Sequence, residues 1–255
     1  CGGEIEVFIE PWAGLTARLG GVPAEDFVGA LATVVAGPGE GAHGLFDRER
    51  GLVAGDLPGP VVDGLGPGVP DLVDAEQSRV LSVGGARVFV ETVAPAPRLI
   101  VFGAGHSAEA LVPAAAAAGF RVLVCDPRAA LAVAERYPAA AAVHVGWPDQ
   151  VVPGLALDRR TFVAVLAHEP RLEGPLLPLL LASPARYIGV LGSRRTHAAR
   201  LERLAAAGWA PDQLARLRGP IGLDIGADNP EEVAVAVVAE MVAARRGRLG
   251  AASAG

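Results

Sequence analysis

The stretch Arg98-Leu-Ile-Val-Phe102 followed by Gly103-Ala104-Gly105-His106-Ser107-Ala108 decides how this 255-residue chain is read. A short apolar run ends on a G-x-G-x-x-A turn, and an alanine-rich helical stretch continues to Gly119. Glycines at such a turn let the backbone fold tightly and bring N–H groups toward a diphosphate at the following helix N-terminus. A second apolar run, Arg121 to Cys125, leads to Asp126, 21 residues after Gly105, the distance at which a ribose-binding carboxylate sits. Arg128 close behind it leaves the choice between NAD and NADP open. Asp126 has a structural alternative as the cap of a helix start at Pro127-Arg128.

Outward from this unit the texture repeats. Strands are expected at Ala141 to Val145, Thr161 to Leu166 and Arg186 to Leu191, and helices at Pro170 to Leu181, Arg195 to Ala207 and Glu231 to Ala244. Continuous apolar strands alternating with helices indicate a Rossmann-like α/β domain, a parallel sheet with helices on both faces. Its expected extent is residues 96–248, with a flexible tail over 249–255. Before the proline-rich Ala94-Pro95-Ala96-Pro97 the pattern differs. Glu4 to Ile9 alternates as a half-buried strand, Ala86 to Val93 reads similarly, and a helix is expected from Glu25 to Val35. Gly37-Pro38-Gly39 and the glycine- and proline-dense Leu57 to Pro70 are expected loops. Residues 1–95 are thus expected to form a smaller α+β domain, N-terminally incomplete because the chain opens on Cys1 inside a motif.

All 22 basic residues are arginine and none is lysine, which excludes a Schiff-base lysine, a P-loop lysine and a lysine general base. A formal charge of −6 without a basic tract argues against nucleic-acid binding. No uncharged apolar run reaches the roughly 18 residues of a membrane span. Two cysteines are too few for a disulfide framework and fit a reducing, cytoplasmic setting.

Gly192-Ser193-Arg194-Arg195-Thr196 follows a strand and opens a helix, so N–H groups, hydroxyls and guanidiniums would form an anion cradle; the plainer reading is a Ser193 cap with solvated arginines. His168, directly after a strand, would face the ligand crevice as an acid/base or ligand, or simply start a helix. His106 beside the glycine turn is placed likewise. His43 and His144 have no partner at metal-like spacing and read as structural or surface residues. In Gly219 to Gly226, Asp224 lies mid-loop and remains open, whereas Asn229, Pro230 and Glu232 read as helix capping. Cys1, on a glycine turn, is accessible enough for a soft contact to molybdenum or sulfur, though most cysteines are buried. Cys125 reads as core.

Taken in order, CGGEIEVFIEP (1–11), GAGHSAEAL (103–111), VCDPRAA (124–130), Arg136-Tyr137-Pro138, AHEP (167–170), YIGVLGSRRTHAARLERL (187–204) and GPIGLDIGADNPEEVAVAVVAE (219–240) resemble the XdhC/CoxI family of xanthine dehydrogenase accessory proteins. The resemblance covers nearly the whole second half and the first dozen residues. It implies an N-terminal XdhC/CoxI domain joined to a Rossmann domain. The implied role is that of a chaperone that binds the molybdenum cofactor (molybdopterin), assists its sulfuration by a cysteine desulfurase and delivers it to an apo molybdenum hydroxylase of the xanthine or CO dehydrogenase type. It leaves room for a homodimer. Departures are the lack of the family's upstream cysteine-bearing motif, Ala167-His168-Glu169 where the family has Thr-His-Asp, and Pro113 inside the first Rossmann helix. The alternatives are an NAD(P)-dependent oxidoreductase using His168, which would lack a tyrosine–lysine pair, and a nucleotide-sensing binding module.

Overall fold

The computed structural model describes residues 7–11, 27–167 and 169–249, so Cys1, His168 and most of the expected Glu4–Ile9 strand lie outside the described residues. The chain separates into two units, Cys1–Pro95 and Ala96–Gly255.

The first unit is a five-stranded antiparallel sheet in the order β3-β2-β1-β5-β4, with β1 Gly29–Ala36, β2 His43–Asp47, β3 Gly51–Gly55, β4 Arg79–Val83 and β5 Ala86–Val93. Two short helices, α1 (Gly59–Leu65) and α2 (Val69–Ala75), pack on it. Two expectations fail here. The segment read as a helix over Glu25 to Val35 contains β1, the central strand. Ala30, Ala32 and Val34 point into the core with Phe46, Val88 and Val90, while Thr33 is buried on the other face. A strand covered on both faces shows no period-2 alternation, so its apolar run resembles a helix. Residues 57–70, read as loop, hold α1 and the start of α2. Their prolines occupy the first helical positions, where a missing N–H costs nothing.

The second unit is a six-stranded parallel sheet in the order β11-β10-β9-β6-β7-β8. Its strands are β6 Arg98–Phe102, β7 Arg121–Asp126, β8 Ala142–Val145, β9 Thr161–Val165, β10 Tyr187–Val190 and β11 Leu217–Arg218. The helices are α3 His106–Ala117, α4 Pro148–Val151, α5 Pro170–Ala182, α6 Arg194–Ala206, α7 Pro211–Leu214 and α8 Pro230–Arg245. The residues of β6 alternate between two cores. Leu99 and Val101 join Leu111 of α3 and Met241 of α8 on one face. Ile100 and Phe102 join Leu172 and Leu176 of α5 and Leu204 of α6 on the other. Helix α8 runs on through Arg245. No helix among the described residues is long and apolar enough to cross a membrane.

This strand order fixes where a ligand can enter. From β6 the chain winds outward through β7 and β8, then returns to β9 on the other side of β6 and winds the opposite way. Beyond the carboxyl ends of β6 and β9 the connections diverge, which opens a crevice at the topological switch point.

Candidate functional site

Gly103, leaving β6, has φ +110°, and a Cβ there would stand 2.8 Å from the Ala167 nitrogen beyond β9. Only glycine fits between the two strand ends. Gly105 differs: its backbone is unstrained and a Cβ would meet no protein atom within 4 Å. It caps α3 with no side chain, so the first-turn N–H groups of that helix receive no side-chain acceptor from the cap.

Gly103, Gly105, Arg128, Leu166, Ala167, Glu169 and Leu172 line a cavity of about 350 Å³ at this crevice. Beneath it lies Asp126, whose side chain is fully buried. Its Oδ2 accepts from the Ala104 N–H at 2.7 Å and from Arg128 Nη2 at 2.7 Å. Its Oδ1 accepts from the Arg128 N–H at 2.8 Å and from Arg128 Nε at 2.9 Å. A carboxylate offers about four acceptor positions, and these are filled. Burial pushes the Asp126 carboxyl upward, but the Arg128 guanidinium and the two N–H groups outweigh it and hold it below the usual range. Asp126 therefore faces no ribose in this arrangement; it ties the glycine turn to Arg128 and fixes the guanidinium, which remains 52% exposed, at the cavity wall.

The second expected anion cradle lies two strands away. Ser193 Oγ accepts from the Thr196 N–H at 3.1 Å and is 2.9 Å from the Thr196 hydroxyl, so both residues serve as the α6 cap. Arg194 bonds Asp224 at 2.9 Å across the mouth of a separate cavity of about 710 Å³, which Gly192, Arg194, Asp224 and the Gly219–Gly226 loop line. Arg195 and His106 are exposed, and neither is among the residues lining these two cavities. The sequence-predicted residues thus divide into two sites with no lining residue in common.

Three residues escaped the sequence reading. Arg200, buried in α6, makes a two-bond ion pair with Glu173 of α5 at 2.8 and 3.0 Å and donates to the Leu191 carbonyl, docking the helix behind the GSRRT turn. Glu240 is buried in α8. A single carboxylate inside the apolar run Val233 to Val242 was the sequence signal for it. His43, read without a partner, is fully buried, its Nδ1 3.1 Å from the Thr33 hydroxyl and its Nε2 2.7 Å from Glu10. Cys125 is core as expected, its thiol pushed up to about 12 by burial and by Asp126. Among the described residues no group of three His, Cys, Asp or Glu side chains could hold a metal ion.

The model of the XdhC Rossmann domain family matches residues 99–241, which contain both cavities. This chain belongs to that family. The XdhC Rossmann domain here is 34% identical over 159 residues to a probable xanthine dehydrogenase component of Bacillus subtilis (strain 168), a match covering 62% of this chain and 46% of the relative. It is 29% identical over 151 residues to the molybdenum cofactor insertion chaperone PaoD of Escherichia coli (strain K12), covering 59% of this chain and 41% of the relative. The chain therefore spans less than half the length of these two curated relatives. A crystal structure of a xanthine dehydrogenase from Bacillus halodurans shares the fold, with a TM-score of 0.55 at 23% identity over 94% of this chain and 97% of that one.

Proposed function

We propose that this XdhC-family chain is an accessory chaperone in the maturation of a molybdenum hydroxylase, and that it holds the anionic end of the molybdenum cofactor at the switch-point cavity. One observation carries the reading. Asp126 is saturated by the turn and by Arg128, so the crevice presents a braced guanidinium and an open glycine instead of a ribose acceptor. Arginine braced in this way suits a phosphate, and the uncapped first turn of α3 adds N–H donors and the helix dipole.

The described residues fit the phosphate end of molybdopterin. They supply no thiolate for the molybdenum end, since Cys125 is sealed in the core. That contact would fall to Cys1, with His168 beside Ala167 and Glu169 as the group available for proton exchange. When bound, the cofactor supplies the molybdenum centre that a hydroxylase uses; this chain binds it, orients it and passes it on. Sulfuration by a cysteine desulfurase, insertion into an apo-hydroxylase of the xanthine or CO dehydrogenase type, and a homodimeric carrier complete the proposal.

A second reading, NAD(P) binding with or without turnover, draws on the glycine turn and the strand order. The experiment compares the two. The full chain is titrated with molybdopterin and with NAD(P)H, alongside Arg128→Met. The chaperone reading expects pterin binding that weakens about tenfold or more in Arg128→Met, together with cofactor transfer to apo-hydroxylase. Saturable NAD(P)H binding without any pterin binding would sink it.

A further inference from the structure

The larger cavity holds a feature that neither capping nor the switch-point site uses. Glu240 is only 3% exposed and lines the cavity of about 710 Å³. Both of its bonds fall on one oxygen: Oε2 accepts from the Tyr187 hydroxyl at 2.5 Å and from the Gly222 N–H at 2.8 Å. Oε1 takes no hydrogen bond among the described residues and is not among the fully sealed polar atoms. The Tyr187 hydroxyl is driven well above its usual range by burial and by Glu240, so it stays a donor to this carboxylate. A buried carboxylate is costly to keep, and a neutral acceptor would serve Tyr187 and Gly222 as well. The unused oxygen faces the cavity.

The surroundings define what it would meet. Ile221, Leu223, Val233 and Ala236 supply apolar walls, and the volume lies in the range of small-molecule sites. At the mouth, the Arg194–Asp224 pair is 73% and 81% exposed on its two sides. Such a pair is worth little and exchanges readily for another anion. Arg194 also opens α6, whose N-terminus favours negative charge. An alkyl group at the bottom would leave the carboxylate unpaired, and an anion there would be repelled. We infer that this cavity is a second binding site, for a flat nitrogen heterocycle that donates an N–H to Glu240 Oε1 and carries an anionic substituent toward Arg194. A phosphorylated pterin and a nucleotide share that chemistry. The site shares no lining residue with the switch-point cavity and stands whether or not the cofactor binds there.

The test uses the full chain and needs no variant for its first arm. Pterin and guanosine 5′-monophosphate are titrated by fluorescence or calorimetry against 1,3-dimethyllumazine, a pteridine with no N–H donor. Either donor ligand is expected to bind roughly tenfold or more tighter than dimethyllumazine, and which one binds identifies the source. Glu240→Gln, nearly isosteric, is expected to abolish that preference, and Arg194→Ala to weaken the phosphorylated ligand while sparing bare pterin. Arg128→Met is expected to leave all three unchanged, which separates this site from the one proposed above. Equal binding of pterin and dimethyllumazine, or no binding of either donor ligand, overturns the inference.

Discussion

Replacing Asp126 with asparagine separates a brace from a ribose ligand. Asparagine offers one carbonyl oxygen, with two acceptor positions, and turns an NH2 toward groups that are themselves donors. Of the four bonds Asp126 accepts, two can survive. Losing a buried charge-assisted bond to a backbone N–H costs about 1.5–3 kcal/mol, and losing one to the half-exposed Arg128 guanidinium costs up to about 1 kcal/mol. The sum is about 3 kcal/mol, which for a unit of this size lowers the melting temperature by roughly 6–12 °C. The pH dependence gives a second signature. Asp126 titrates below its ordinary range in the folded state, so its contribution is fully present above about pH 4 and is lost as the pH falls through the folded value. Wild type is expected to lose stability steeply below about pH 4, and Asp126→Asn to start lower and lack that part of the slope. Thermal denaturation between pH 3 and 7 measures both. A variant within about 0.5 kcal/mol of wild type, with an unchanged acid slope and weakened NAD(P)H binding, would refute the brace and restore Asp126 as the ribose acceptor.

Other perturbations test neighbouring parts of the molecule. Gly103→Ala is expected to destabilise by more than about 1 kcal/mol, because the residue sits at positive φ and its Cβ would press on the Ala167 nitrogen; Gly105→Ala is expected to spare the melting temperature and weaken anion binding. Arg200→Met leaves the buried Glu173 carboxylate unpaired and is expected to cost about 3–5 kcal/mol by chemical denaturation, whereas Arg195→Ala, exposed, should stay within about 0.5 kcal/mol. The Cys125 thiol, fully buried and pushed up to about 12, is expected to resist alkylation at neutral pH until the protein unfolds, read by mass spectrometry on the peptide that contains it.

The parallel half was legible because its signals are local. A strand buried on both faces is a short apolar run, and a glycine pair at positive φ or close approach announces the turn, so β6, β9 and α8 lie within a residue or two of expectation. The first half misled where two physical rules overlap. In Gly29 to Ala36 the lack of alternation signalled burial on both faces, not a helix. In 57–70 the prolines begin helices, where a breaker and a first-turn residue look alike. The site was legible as residue types and not as partners. That Arg128 belongs to Asp126 is a matter of two residues, yet the sequence could not say that the pair closes on itself and leaves the ribose position without an acceptor. Arg200 and Glu173 are 27 residues apart on different helices, and nothing local links them.

The absence of lysine acquires a structural meaning when the arginines are followed to their partners. Arg216 spreads its fork over the Leu181, Ser183 and Ala185 carbonyls at the end of α5. Arg186 does the same for Ala244 and Arg245 at the end of α8, and Arg98 holds the Leu155 and Ala156 carbonyls. A planar guanidinium with five donors can satisfy several carbonyls at once, which a compact ammonium does less well. Arginine is therefore committed as scaffold at the closed ends of helices, where cations are favoured. Arg128 and Arg194 are different: they stand at helix-opening loops on the carboxyl edge of the sheet and line cavities. With a net charge of −6 the chain as a whole does not attract anions. Selection for an anionic ligand must then occur inside these two cavities, through short-range bonds, and binding there should be less sensitive to salt than binding to a basic surface patch. Measured affinity that falls steeply between about 50 and 200 mM salt, with the roughly hundredfold or greater loss that counterion release produces at a basic face, would contradict it.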